Sequence, residues 1–267
     1  MSLEKKSPPP HGLTARTLGD WQGLLIATRP AATFTPTLVA EHPEPVRRWL
    51  THAIEPGTPL LTSVEIRTTG QIRLRGWRPF SATQRLSPDG GYVWAATARV
   101  LGPPVVGFDR YTRGTGEMRW RLFDAVPVVQ GTGADITRSA SDRHACELLW
   151  AAPAAALSSH VSWQPLDADR AVARIGRVAG AHGAHETHEV TVTVDTEGTL
   201  TDLVMSRWGK PGRAPFASHP FGATLSGEIS DAGFTIPRTA SAGWFHGTDQ
   251  QDSGEFVRYT VESLRYR

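Results

Sequence analysis

Asp109, in Val-Val-Gly-Phe-Asp-Arg-Tyr-Thr-Arg-Gly-Thr-Gly, and Glu147, in Arg-His-Ala-Cys-Glu-Leu-Leu-Trp, have the strongest case for chemistry. Asp109 falls in an extended segment whose glycines admit another backbone or a ligand. Glu147 falls in a helical segment, one turn from Arg143. Brought together inside a cavity, the two carboxyls would be candidates for acid–base work, which needs proximity and a shifted pKa. The structural alternative is equally concrete. Asp109 would accept turn N–H groups or pair with an arginine, and Glu147 would pair with Arg143 along its helix. Sequence decides neither, and no catalytic residue is assigned.

Other reactive side chains carry less. His182, His185 and His188 have a spacing that permits a metal site, but their Gly-rich setting reads as a solvated hairpin loop, so no metal is expected. Cys146 is the single cysteine, which rules out an intrachain disulfide and a thiolate zinc site. It reads as a small buried apolar residue. The Gly-Thr-Gly runs at 114–116 and 131–133 open no helix behind a lysine, so they are not phosphate loops. Ser158-Ser159-His160 lacks the Gly-x-Ser-x-Gly context of a nucleophile elbow. No cofactor motif is present.

The aromatic residues are more informative. Nine tryptophans are spread over the chain, most in alternating, turn-bounded segments. Indole is bulky, rigid and carries one N–H, so it suits core edges and pocket walls. Trp77, Phe80, Trp94, Trp163, Trp208 and Trp244, with Arg119, Arg121 and Arg207, have the composition of an apolar pocket with a few polar anchors. The expected ligand-binding set is Trp77, Phe80, Trp94, Asp109, Glu147, Trp163, Arg207 and Trp244. The competing expectation is that the indoles simply fill a core.

These residues need elements to hold them. With 39% hydrophobic and 20% charged residues the chain can bury a core. A net charge of +2 with no basic stripe argues against nucleic acid. No stretch approaches a membrane span, and no apolar leader follows the opening residues, so a cytoplasmic location is expected. Residues 1–43 read as a polar tail with a short helix, Thr17–Asp20 resembling its capping box. Pro45 to Ile54 has helical spacing and stops at Pro56-Gly57. Period two then begins: Val64, Ile66 and Thr68, then Ile72 and Leu74, read as a hairpin about Gly70, with Glu65, Arg67, Arg73 and Arg75 on a solvated face. Strands follow at 80–86, 92–100, 105–111 and 117–129. Residues 139–157 break the pattern with a helix capped by Ser141. Strands resume at 160–165, 171–178, 188–194, 199–207, 221–229, 234–236, 238–245 and 255–266. The fold class is mainly β (α+β): residues 44–267 form a single domain. It is one long, strongly curved antiparallel sheet, a half-barrel, with two to three helices packed on its concave side.

The order of motifs resembles a bacterial family of unassigned function. The residues that carry it are Arg48-Trp49-Leu50, Pro56-Gly57, Trp77-Arg-Pro-Phe80, Ala82, Gln84, Val93-Trp94-Ala95-Ala96, Asp109, Tyr111, Gly114, Gly116, Met118, Glu147, Pro153, Leu157, Trp163, Gly222, Pro237 and Trp244. The resemblance covers about residues 44–267. It implies similarity to the lipoprotein-carrier half-barrels, in which an antiparallel sheet wraps helices around an apolar cavity, and it implies no reaction.

The expected function is therefore a non-enzymatic binding protein whose cavity takes an apolar or amphipathic, lipid-like small molecule. The alternatives are an enzyme using Asp109 and Glu147 on a hydrophobic substrate, and a protein-interaction scaffold with a filled core.

Overall fold

A computed structural model describes residues 8–25, 32–100, 102–176, 187–212 and 215–267. Two helices come first, α1 (Ala15–Gly23) and α2 (Glu44–Ala53). Strands β1 (Val64–Arg73), β2 (Trp77–Ser87), β3 (Gly91–Arg99), β4 (Pro104–Thr112), β5 (Thr115–Leu122) and β6 (Val126–Gly131) then form a meander. Helix α3 (Ala134–Ala151) and a 3-10 turn (Pro153–Leu157) follow. The second meander is β7 (Val161–Pro165), β8 (Arg170–Gly176), β9 (Thr187–Val194), β10 (Leu200–Gly209), β11 (Ala217–Asp231), β12 (Phe234–Trp244) and β13 (Glu255–Tyr266). A single turn of helix, α4 (Gln251–Gly254), precedes β13.

The described residues make one antiparallel sheet of 13 strands, ordered β6-β5-β4-β3-β2-β1-β13-β12-β11-β10-β9-β8-β7. Each meander steps in sequence order, so the two join where β1 pairs β13. The link from β6 to β7 therefore runs between opposite edges and must cross a sheet face. Helix α3 makes that crossing and touches β4 and β5 in one arm and β9, β10 and β12 in the other. Both arms of the sheet thus reach the same helix. The sheet is not closed, since β6 and β7 pair on one side only. Among the described residues no helix is long and apolar enough to cross a membrane.

Period two sets which side chains face α3. In β2 and β3 these are Phe80, Ala82, Gln84, Leu86, Tyr92, Trp94, Ala96 and Ala98, all buried. All of these but Gln84 share one core with Trp49 and Leu50 of α2, Leu149 and Trp150 of α3, and Phe234. Helix α1 packs instead on the opposite face, where Trp21 and Leu24 cover Val93. Trp21 also lies under the Arg85 guanidinium, 4.4 Å from the ring centroid. Arg85 in turn holds Glu65 at 2.8 Å, leaving Glu65 only 6% exposed. The expectation that Glu65 sits on a solvated face is thus corrected, because α1 roofs that part of the sheet.

Several boundaries also differ from expectation. Strand β1 runs straight through Gly70, and the chain turns at Arg75 and Gly76, both at positive φ. Gly70 is needed for proximity: a Cβ there would lie 2.1 Å from the Arg258 carbonyl oxygen in β13. The stretch expected as one strand from 117 to 129 is a hairpin, turned by Phe123 and Asp124 with φ of 54° and 55°. Those residue types lack the Asn-Gly or Asp-Gly signature of such a turn. Conversely, 234–236 and 238–245 are one strand through Pro237. Helix α1 is capped by Thr14, not by Thr17, whose N–H donates to the Thr14 hydroxyl. Helix α3 begins seven residues before Ser141, at Ala134, so Ser141 is an interior residue rather than a cap.

Candidate functional site

The registers of β2 to β5 place Gln84 beside Trp94, Trp94 beside Asp109, and Asp109 beside Met118. One row of side chains thus crosses four strands on the face toward α3. The other arm supplies Phe221 beside Trp244 and Ala223 beside Ala242. Between them α3 presents Ser139, Arg143, Cys146, Glu147 and Trp150, a stripe at helical spacing. These three surfaces enclose a cavity of about 350 Å3, floored also by Ile72, Phe256, Val257 and Tyr259. That size falls within the range of about 300–1,000 Å3 for small-molecule sites.

Arg143 organises the first wall. Its Nε donates to Glu147 Oε1 at 2.8 Å, and one terminal nitrogen donates to Asp109 Oδ2 at 3.1 Å. The second oxygen of each carboxylate is also occupied. Trp120 Nε1 donates to Asp109 Oδ1 at 2.8 Å, and Gln84 Nε2 donates to Glu147 Oε2. The guanidinium lies over Tyr92 at 4.8 Å and over Trp94 at 5.1 Å. Burial pushes the Asp109 carboxyl above its ordinary pKa, against the pull of Arg143 and the Trp120 N–H. Burial also opposes the charge on Arg143, but Glu147, Tyr92 and Asp109 outweigh it and hold the guanidinium protonated.

Arg207 occupies the other wall. It is 9% exposed and lies over the rings of Phe221 at 4.5 Å and Trp244 at 5.1 Å. The indole of Trp244 is seated across Gly209, where a Cβ would come within 2.0 Å of the ring. Phe221 meets Trp244 edge to face at 5.3 Å.

Of the eight expected binding residues, the fold gathers Trp94, Asp109, Glu147, Arg207 and Trp244 at this one cavity. Phe80 stands behind Trp94, edge to face at 5.8 Å. Trp77 and Trp163 are elsewhere. Trp77 pairs with Arg73, on the face opposite Ile72, and stacks between Arg73 and Arg258. Trp163 meets Trp49 at 6.1 Å and donates to the Ala156 carbonyl. Arg119 and Arg121 alternate with Met118 and Trp120 and so face away, Arg119 donating to the Gly12 carbonyl. Arg143 was legible only as a partner of Glu147; its reach to Asp109, 34 residues earlier, was not. Cys146 lines the cavity as a buried thiol whose pKa burial raises to about 12, so it is inert at neutral pH.

Across α3 lies a second cavity of about 510 Å3, with Tyr111, Ser141, His144 and His188 in its wall. That wall ends at Gly176 and His188, on either side of residues outside the described set. His182 and His185 also lie outside the described residues. His188 is no loop residue: it lies in β9, 8% exposed. Its Nδ1 is 2.9 Å from Asp142 Oδ1, and its Nε2 is 3.1 Å from Ser141 Oγ. Asp142 Oδ2 accepts the Trp208 backbone N–H at 2.7 Å. A Ser–His–Asp order invites comparison with hydrolases, but Ser141 sits inside a helix, where neighbouring N–H groups are engaged along the axis and supply no oxyanion donors. The array instead ties α3 to β9 and β10. His188→Ala should cost about 1–3 kcal/mol in urea unfolding, because Asp142 and Ser141 each lose a buried partner. A loss under about 0.5 kcal/mol would show the array to be dispensable.

Comparison with known proteins gives structural neighbours and a family. A Vibrio parahaemolyticus domain assigned to outer membrane lipoprotein sorting aligns with a TM-score of 0.41 at 9% identity, over 77% of this chain and 85% of that one. A LolA superfamily protein from Nitrosomonas europaea aligns with a TM-score of 0.37 at 8% identity, over 84% of this chain and 92% of that one. A search of curated proteins found no match. A family model described as "Family of unknown function (DUF6544)" matches residues 32–256, and the chain belongs to that family.

Proposed function

We propose that this protein binds a small apolar or amphipathic molecule, lipid-like in character, in the cavity between α3 and the two arms of the sheet. In this reading the sheet is a half-barrel and α2 and α3 occupy its concave side. The observation that carries it is the lining: indole and phenyl rings surround about 350 Å3, while the wall carboxylates are already paired to Arg143. A core selected only for stability would close such a space, since a void forfeits dispersion contacts on every side. Ala223 and Ala242, adjacent on β11 and β12, keep that wall low where larger side chains would fill it.

The test is titration with the neutral fluorophore N-phenyl-1-naphthylamine. Its emission should rise saturably with wild type and fail to rise with Ala242→Phe, which inserts a ring into the cavity while thermal unfolding confirms a folded chain. Equal binding by both proteins would place the fluorophore elsewhere, and no binding by wild type would sink the reading. A second reading, acid–base catalysis on a hydrophobic substrate, is favoured by one observation: burial raises the Asp109 carboxyl toward a general acid, beside Glu147. The shared clamp on Arg143 favours the binding reading.

A further inference from the structure

Resting on the binding reading, we infer that the natural ligand is an anionic amphiphile, with a carboxylate or phosphate group seated on Arg207 and an apolar body in the aromatic cavity. The cations of the cavity are not used equally. Arg143 has two carboxylates, at 2.8 and 3.1 Å. Arg207 has none within 4 Å among the described residues. Its hydrogen bonds go to the Ser139 carbonyl at 3.3 Å and the Ser139 hydroxyl at 3.4 Å, and its remaining terminal nitrogen has no partner among the described residues.

An arginine about nine-tenths buried without a counter-ion is costly, and the faces of Phe221 and Trp244 offset only part of that cost. Repulsion from Arg143 adds to it, while Asp142 and Glu147 offset part of it from beyond ion-pair distance. The planar fork of a guanidinium matches a carboxylate or phosphate oxygen pair, which would supply the missing charge. Lys210 stands at the exposed margin of the same cavity, so three cations face two carboxylates there. That excess favours an incoming anion, and the surrounding rings favour a hydrocarbon attached to it.

The experiment is displacement of N-phenyl-1-naphthylamine by decanoate, decyl phosphate and decan-1-ol, with acetate and inorganic phosphate as headgroup-only arms. Decanoate or decyl phosphate should displace at about tenfold lower concentration than decan-1-ol from wild type. Arg207→Gln should bring that ratio close to one, and Arg207→Lys should keep part of it. Equal potency of the acid, the phosphate and the alcohol on wild type would overturn the anionic ligand while leaving the cavity reading intact. Displacement by acetate or inorganic phosphate as strong as by their decyl counterparts would overturn it too, in favour of a free-anion site. Failure of the fluorophore to bind at all would sink the cavity reading itself, and this inference with it. The wild-type ratio needs no variant, so a poorly folding Arg207→Gln would not protect the inference.

Discussion

Arg143→Met is expected to lower the free energy of unfolding by about 3–5 kcal/mol at neutral pH. Methionine keeps much of the side-chain volume, so the loss is not a cavity effect. It leaves Asp109 and Glu147 facing each other at the cavity wall without their common cation, both about 15% exposed. Removing one partner of a buried ion pair costs more than the pair ever contributed, because the stranded charge keeps its desolvation cost. The deficit should shrink as pH falls through the carboxylate range, since the stranded carboxyls then protonate. Arg143→Lys should lose less, keeping the charge but not the fork that reaches both acids. Urea unfolding of the three proteins at pH 7 and near pH 4 measures this. A loss below about 1 kcal/mol at pH 7 would mean that water, not Arg143, compensates the carboxylates.

His144 should give the protein a second, separate pH dependence. It stacks near Tyr92 at 6.2 Å and Tyr111 at 5.7 Å, and its Nε2 donates to the Ser87 carbonyl at 2.9 Å. Burial lowers its pKa from 6.5 to about 4; the Ser87 carbonyl and the charge of Glu147 pull the other way without prevailing. The unfolded chain therefore takes up a proton at higher pH than the folded one. The resulting stability is fully present above pH 6.5 and is lost as pH falls toward 4, by an amount of order 3 kcal/mol. In His144→Gln, which retains a donor for Ser87, most of this fall between pH 6.5 and 4 should disappear, leaving the share of His42, whose pKa burial also lowers, and the carboxylate losses at lower pH. Parallel wild-type and variant profiles across that window would show that His144 titrates alike in both states.

Both predictions depend on side chains that sequence reading weighted differently. The alternation of Val64, Ile66 and Thr68 was legible as a strand, because a half-buried sheet imposes period two. The helix at 44–53 was legible from its proline start and apolar stripe. The turn at Phe123-Asp124 was not, since neither residue type announces positive φ. Nor was the burial of Glu65, which follows from α1 folding back onto the outer face. His188 was legible as the start of the strand at 188–194, but its bond to Asp142 was not, because the two residues lie 46 positions apart.

The same division runs through the candidate site. Sequence alone determined that the protein is mainly β and that indoles fall on strand after strand, and it marked Asp109 and Glu147 as candidates. Local periodicity carries that information, since it depends on residues a few positions apart. Which of those residues meet was decided by tertiary structure. Strand register set Gln84, Trp94, Asp109 and Met118 in one row, and the crossing of α3 between two sheet edges brought Arg143 and Glu147 down onto it. Register also sent Trp77 to the opposite face and left Arg207 in the cavity without a carboxylate partner among the described residues. Those outcomes depend on pairings between residues far apart in the chain, which no local pattern encodes.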